Sequence, residues 1–374
     1  MTTVGADTRT LLTSMAIAPT AGMPPAPFVV APPSIEAAGA VMAAAARSDL
    51  VVRPWGAGSH QGVGHPIDAD IILSTDKLQA VVDWQHEDLT VVVEAGVRVA
   101  ALERTLAERG QTAVLPEATG DATVGGVVAA GLSGWRRLRY GPTRDRVLEV
   151  VIATGDGRVV RGGAQVVKNV TGYDLPRLMV GSLGGLGVIG RVCLKLWPAP
   201  AATATVEVAD PAAALRTAFR PLAVLETDDG SAVYLGGTAE EVEVQSKELG
   251  SGGRPGLHWP LAPAEPWHLQ VRVPPRHISA AVAQVRDLPS ARFVAAHGVG
   301  EIDVGAGRVP ATWIESVREW AEGVGGAVVV MAQPHDGEVD PWGTPPASLD
   351  LHRRVTAAFD PIGVVNPGRL PGRL

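Results

Sequence analysis

Residues 116–190 read PEATGDATVGGVVAAGLSGWRRLRYGPTRDRVLEVVIATGDGRVVRGGAQVVKNVTGYDLPRLMVGSLGGLGVIG. Glycine recurs between short apolar runs along the whole passage. Inside a regular element each glycine costs roughly 0.5–1 kcal/mol relative to alanine. Such clustering therefore marks backbone that turns tightly or is closely approached by something else. A large, flat, phosphate-bearing group is the ligand such a wall suits. Upstream, residues 55–64 read WGAGSHQGVG directly after a strand-like run ending at Arg53. Glycines at 56, 58, 62 and 64 let successive amides point inward as an anion-binding nest, and Ser59 adds a hydroxyl donor.

The most motif-like piece of the long passage is a decoy. Gly185-Leu186-Gly187-Val188-Ile189-Gly190 satisfies G-x-G-x-x-G, but that fingerprint needs a helix after the glycines to face a pyrophosphate. Residues 191–197, RVCLKLW, predict a strand ending at Pro198. The loop 55–64 has no Lys-Ser/Thr ending, so a nucleoside-triphosphate P-loop does not fit either.

The 374 residues suffice for two or three domains, and 46% hydrophobic content supports full cores. A net charge of −7 argues against a nucleic-acid partner. The densest basic cluster, Arg136, Arg137 and Arg139, reads as a solvated loop. The single cysteine, Cys193, excludes a disulfide framework and a cysteine-held iron–sulfur cluster in this chain. Its place in an alternating run makes it a structural thiol. No apolar run reaches the roughly 20 residues that span a bilayer. Residues 1–27 read as a disordered Ala/Thr/Pro leader without the basic start of a signal peptide. The expected location is the cytoplasm, with any membrane association made through partner chains.

Strand and helix signals alternate from 28 to about 110, with Ser34 as the N-cap of an alanine-rich helix. β-rich pieces follow, including a hairpin turning at Gly155-Asp156-Gly157. The stretch 198–201, PAPA, marks a domain boundary. Between 203 and 333 strands and helices alternate again, with Thr238–Glu241 as a capping box. That pattern predicts an antiparallel sheet covered on one face. Trp313, Val317, Trp320 and Val324 fall near one helix face and read as core. The turn-rich tail FDPIGVVNPGR, 359–369, is expected to return to the first domain.

The ordered segments ATVGG (122–126), RYGPTRD (139–145), VKNVTGYDLPRL (167–178), GSLGGLGVI (181–189) and FDPIGVVNPGRL (359–370) together resemble the vanillyl-alcohol-oxidase (PCMH-type) family of FAD-binding oxidoreductases. Within it they are most similar to the small FAD-binding subunits of bacterial glycolate oxidases (glycolate dehydrogenases). The resemblance covers about 28–198 and 359–370. It implies an α+β fold: a two-subdomain FAD-binding domain over 28–200 and a smaller ferredoxin-like substrate or cap domain over 201–340. A C-terminal segment, 341–374, would then pack on the FAD site. By the same resemblance, Trp55, Gly56, Ala57, Gly58, Ser59 and His60 meet the FAD pyrophosphate. Pro116, Thr123, Gly126, Ser133, Tyr140, Gly141, Thr143, Asp145, Val188 and Ile189 line the ribityl chain and isoalloxazine, and Asn366 approaches from the tail. Some relatives attach FAD through a loop histidine. His60 stands one position beyond that place, so non-covalent FAD is expected. Two departures are a proline–tryptophan pair before Gly56 and a middle region shorter than the catalytic large subunit's substrate domain.

The family implies a subunit of a glycolate (2-hydroxy-acid) dehydrogenase complex. Hydride passes from the substrate α-carbon to flavin N5, and electrons then leave through an iron–sulfur partner chain. A non-catalytic FAD-binding or assembly subunit, and a free-standing flavin oxidase of another alcohol, remain open readings. Lys168 and Tyr173 are the candidate catalytic pair, attracting a carboxylate or the reduced flavin's charge, or merely ordering the wall. His297 and His335 are candidate bases. His60, His65, Asp68 and Asp70 cluster in sequence, but their spacing is poor for a metal, and none is expected.

Overall fold

The computed structural model describes residues 4–116, 120–166, 172–250, 252–263, 265–334 and 339–374. Lys168 and His335 lie outside the described residues. A three-stranded parallel sheet comes first, ordered Phe28–Val30, Ile71–Ser74, Val52–Trp55. Helix Ile35–Ser48 provides the crossover, and Ser34 caps it by accepting from the Ala37 N–H at 3.2 Å. The strands are nearly continuous apolar runs, as a sheet covered on both faces requires.

A second, antiparallel sheet of five strands is ordered Val81–Gln85, Thr90–Glu94, Val188–Lys195, Val147–Ala153, Val159–Gly163. The residues after the decoy glycines are thus a central strand, as expected. Cys193 lies in it at 1% exposure, its thiol pushed up to about 12 by burial and then by Glu149. The glycine-rich passage also holds a helix that its composition hides, Val124–Ala130. Thr123 caps it, with Oγ1 accepting from the Gly126 N–H at 3.1 Å. Gly125 lets the helix settle on Ala95, whose Cβ would lie 2.6 Å from a Cβ placed there.

The third sheet has eight strands and is an internal duplication. In each half the order strand–helix–strand–strand–helix–strand makes one ferredoxin-like unit. The first comprises Ala202–Val208, Pro211–Thr217, Ala223–Thr227, Ser231–Gly237, Ala239–Glu248 and Arg254–Pro255. The second comprises Trp267–Arg272, Ile278–Arg286, Arg292–Ala296, Glu301–Ala306, Ala311–Gly323 and Ala327–Ala332. Their second strands pair edge to edge, Leu225 opposite Ala296 and Thr227 opposite Val294. The expected single ferredoxin-like unit is therefore two, fused into one sheet. Thr238 and Glu241 form the expected capping box. Of the four residues read as a core stripe, Val317 is fully buried, while Trp313, Trp320 and Val324 pack at the margin.

Two expectations fail for physical reasons. The leader is not disordered: Ala6–Ser14 is a helix, with Leu12 fully buried among Val30, Val41 and Met42. Its threonine and alanine content hid a single deep anchor. The following chain then bridges strand Phe28–Val30 through Ala16. Nor are the three arginines a solvated loop. Arg136 donates to the Leu115 carbonyl at 3.0 Å, Arg137 meets Glu301 at 3.1 Å, and Arg139 donates to the Gly236 carbonyl. The last two tie the glycine-rich passage to the eight-stranded sheet. Trp135 packs alongside them on Trp259, ring centroids 5.6 Å apart.

No helix among the described residues is long and apolar enough to cross a membrane. If the leader helix is integral, Leu12→Ala should cost about 2–4 kcal/mol, the range for a buried leucine truncation. Urea unfolding measures this, and an unchanged midpoint would show that the helix does not contribute.

Candidate functional site

Two cavities meet at the loop that follows strand Val52–Trp55. The first is lined by residues 54–61, by Thr75 and Ala95, by Thr123, Gly125 and Gly126 at the start of helix Val124–Ala130, and by Leu183, Gly184 and Gly187–Ile189. It therefore gathers Trp55, Gly56, Ala57, Gly58, Ser59, His60, Thr123, Gly126, Val188 and Ile189 from three separate segments. Close backbone approach is required there. A Cβ on Gly56 would sit 2.4 Å from Thr123 Oγ1, and one on Gly58, at φ +82°, would sit 2.7 Å from the Trp55 ring.

The tail supplies a residue that the sequence reading had not singled out. Arg369 lines the first cavity at 3% exposure. Its Nε donates to the Val63 carbonyl at 3.0 Å, Nη1 to Gln61 Oε1 at 3.1 Å, and Nη2 to the His60 carbonyl at 3.1 Å. Among the described residues it has no carboxylate partner. Burial, with Arg53 nearby, lowers its pKa to about 10. A desolvated cation lining a cavity beside the glycine loop calls for an anion. The available signal was a lone arginine in a turn-rich tail, which spacing alone could not place.

Asn366 lines neither cavity. It is buried, in left-handed backbone at φ 45°, and Nδ2 donates to the Leu183 carbonyl at 2.8 Å. It thus fixes the wall at 183–184 from behind, while the Asn366 N–H bonds the Val52 carbonyl.

The second cavity, of about 400 Å³, shares Ser59 and His60 with the first. One side is Pro116 and residues 131–135, which includes Ser133. Facing them are His268, Gln270 and Arg272 of strand Trp267–Arg272, and Glu301 and Asp303 of the next strand in the sheet. Strand alternation explains this placement. Leu269 and Val271 enter the helix-covered core, so their polar neighbours face the opposite side. His268 Nε2 lies 3.3 Å from Asp303 Oδ1, and Gln270 Nε2 donates to the same oxygen at 3.2 Å. Gln270 Oε1 accepts from Arg272 Nε at 2.8 Å. Burial and the neighbouring Asp303 push the Glu301 carboxyl up. The alternating run WHLQVR carried this signal, but only pairing with 301–303 turns it into a site.

Several expected lining residues stand elsewhere. Tyr140 packs edge-on against Trp197 at 5.5 Å. The Thr143 N–H donates to Ser133 Oγ at 3.1 Å, and its hydroxyl donates to the Leu132 carbonyl. The Gly141 carbonyl accepts from fully buried Arg146, and Asp145 pairs with Arg177 at 3.2 Å. These four brace the wall rather than form it, because the 3-10 turn Thr143–Asp145 runs behind it. Tyr173 is 93% exposed, just before the short helix Leu175–Met179, which buries Pro176 and Met179. His297, also off the cavities, is 2% exposed and bonded to Glu226 at 2.7 Å. His65 pairs with Asp340 at 3.6 Å and Asp70 accepts from the Val51 N–H, so two of the four residues weighed as a metal cluster serve different partners.

Residues 26–163 match the family model of the FAD binding domain. The chain carries an FAD-binding domain of the PCMH type. It is thereby an FAD-dependent oxidoreductase, and the cradle suits the cofactor. Gly56 and Gly126 lie close against the Thr123 hydroxyl and Gly58 against the Trp55 ring, and Arg369, with no carboxylate partner among the described residues, would suit the diphosphate. The glycolate oxidase subunit GlcE of Escherichia coli (strain K12) is 28% identical over 88% of this chain and 94% of its own length. Other relatives match over less than half of this chain. Glycolate oxidase subunit GlcD of Bacillus subtilis is 32% identical over 46% of this chain, and D-lactate dehydrogenase of Anaerostipes hadrus 34% over 45%. The chain covers only 37% and 35% of those two. In three dimensions the fold resembles alkyldihydroxyacetonephosphate synthase, with TM-score 0.64 and 14% identity over 91% of this chain and 75% of that one.

Arg369→Met should weaken FAD binding by roughly 10- to 100-fold, the value of hydrogen bonds to a charged group. Arg369→Lys should fall between, since it keeps the charge but loses the fork. Titrating apoprotein with FAD by fluorescence measures both. A pH effect should accompany them. Burial, then His268 and Arg369, lowers the His60 pKa from 6.5 to about 4. The unfolded chain binds that proton near pH 6.5 while the folded chain refuses it until about pH 4. His60's contribution is therefore complete above pH 6.5 and drains away as pH falls toward 4. His60→Gln should flatten that slope in unfolding midpoints measured across the interval.

Proposed function

We propose that this chain is the FAD-binding subunit of a 2-hydroxy-acid dehydrogenase complex, with glycolate as the leading substrate. The observation that carries the reading is the extent of the likeness to the glycolate oxidase subunit. At 88% of this chain it extends beyond the FAD-binding domain into the eight-stranded sheet. In this reading residues 28–200 hold FAD non-covalently, 201–340 form the substrate domain and 341–374 close the FAD site.

FAD, when bound, supplies a two-electron acceptor for oxidation of an alcohol carbon. The protein's share is to hold and orient. The 56–60 loop and Arg369 take the diphosphate, helix Val124–Ala130 and residues 183–189 wall the cradle, and the second cavity places the substrate. Electrons then pass to an iron–sulfur partner chain. What supports a separate chain is that Cys193, the single cysteine, is buried in a central strand and cannot assemble a cluster.

The purified protein should show an oxidised-flavin spectrum that glycolate or D-lactate bleaches anaerobically. A protein that takes up no FAD would sink the reading. A yellow protein untouched by 2-hydroxy acids, alone and with its partners, would leave the assembly role instead. Acid precipitation should leave all of the flavin in the supernatant, whereas flavin retained in the pellet would show a covalent link.

A further inference from the structure

A third cavity, of about 330 Å³, lies against both of those already described. It shares Ala130 and Leu183 with the first, and Val63, Gly131, Ser133, Arg272 and Met331 with the second. Its rim comes from the glycine-rich passage, through Pro142, Arg144, Val180 and Gly181. Arg144 is exposed to solvent in the turn Thr143–Asp145. The space therefore runs from the surface to the back wall of the cofactor cradle and on into the second cavity.

Two kinds of side chain line it. Val63, Leu183, Val329 and Met331 are buried and pack together, with Trp342 against them, as an apolar collar. Strand alternation brings Val329 and Met331 here, because Val328 and Val330 enter the helix-covered core. The charged groups are three guanidiniums, those of Arg137, Arg144 and Arg272, and no acidic residue is among the lining. Nearby carboxylates do not balance them. Arg137 Nη1 at 3.1 Å and Arg272 Nε at 3.6 Å share the single oxygen Glu301 Oε2. Asp145, the neighbour of Arg144 in the chain, is paired with Arg177 at 3.2 Å. Arg144 has no carboxylate partner among the described residues.

Packing accounts for Arg137, which ties the passage to the eight-stranded sheet, but it does not account for Arg144. The whole chain carries a net charge of −7 and so repels small anions on average. Unbalanced positive charge at one opening reverses that locally, and low-dielectric walls focus the field it makes.

We propose that this cavity is the entrance through which small anions reach the two inner cavities, and that Arg144 draws them in. That the anion is a 2-hydroxycarboxylate rests on the proposed function above; the entrance itself does not. Arg144 lines neither inner cavity, so it acts on the encounter and leaves events at the flavin untouched. Arg272, shared with the second cavity, continues the line of positive charge inward.

The test uses the full-length, FAD-loaded protein, with its partner chains where they co-purify. The probe is iodide, read by its quenching of flavin fluorescence at low ionic strength, beside acrylamide as an uncharged quencher. Arg144→Glu should cut the iodide quenching constant about five- to tenfold, part of the roughly 10- to 1000-fold that a charged cleft supplies as a whole. Acrylamide quenching should not change, and Arg144→Gln should fall between. In about 1 M salt, where screening acts within about 3 Å, wild type and both variants should converge. Arg216→Glu makes the same charge reversal on the exposed side of helix Pro211–Thr217, away from all three cavities, and should quench like wild type. With glycolate, Arg144→Glu should lower the apparent second-order rate of flavin reduction by a similar factor and keep the limiting rate at saturation. Matching FAD content and melting temperature show that the variants fold.

Equal iodide quenching in Arg144→Glu and wild type would place the entrance elsewhere and overturn the proposal, whether or not glycolate bleaches the flavin. An equal loss in Arg216→Glu would reduce the effect to net charge and overturn it too. If iodide responds as expected while no 2-hydroxy acid reduces the flavin, the entrance stands and the functional reading falls.

Discussion

The guanidinium of Arg369 is the contact on which the rest of the FAD cradle depends. It reaches residues 60–63 across more than 300 positions of sequence and binds their carbonyls from inside. Arg369 thereby ties the loop to the tail. A cation buried this way is costly, several kcal/mol after relaxation. Its hydrogen bonds offset part of that, and an anionic ligand would offset more. Asn366 works beside it on the other wall, so three residues of separation in the tail control both sides of one cleft.

The duplicated sheet shows how a repeat can be divided between two tasks. Both ferredoxin-like units bury one face under their own helices by the same alternation of apolar residues. Their other faces diverge. The first unit meets the glycine-rich passage through Leu225 and Tyr234, which pack with Trp135 and Trp259, the Tyr234 and Trp259 rings stacked at 4.2 Å. The second is charged and lines a cavity. One copy thus fixes the distance between the sheet and the FAD-binding domain, and the other exploits the gap so defined. Arg137 belongs to both arrangements, reaching from the glycine-rich passage to Glu301 in the cavity wall.

Much of the scaffold was legible in the sequence. The strand after Gly190, the hairpin at 155–157, the cap at Ser34 and the box at Thr238 are local features that depend on a few adjacent residues. The glycine loop was legible for the same reason, because close approach leaves a compositional trace. What escaped was set by distant partners. Leu12 is one apolar residue on a polar helix, and nothing local tells that it has a pocket. Arg136, Arg137 and Arg139 look solvated until the second sheet arrives to meet them. Tyr140, Thr143 and Asp145 sit at the right place along the chain for lining residues, yet one layer too deep. Sequence order carried them to the correct wall without saying which side of it they occupy.

The tail's grip on the first loop has a consequence for how the protein is made. Val52 is flanked on the sheet by Val365, and His60 waits for a residue 309 positions later. A ribosome adding roughly 5–20 residues per second needs on the order of 15–60 s to bridge that interval. Throughout that time the eight-stranded sheet emerges while the glycine loop has its local bonds to Arg53 and Pro54 but lacks the brace of Arg369. The cofactor cradle is therefore the last part of the molecule to be finished, although its first strand is among the earliest to appear. Retained flavin is, in effect, a certificate of completed translation. A chain interrupted anywhere within the sheet would carry most of the binding residues and still be unable to close around the cofactor.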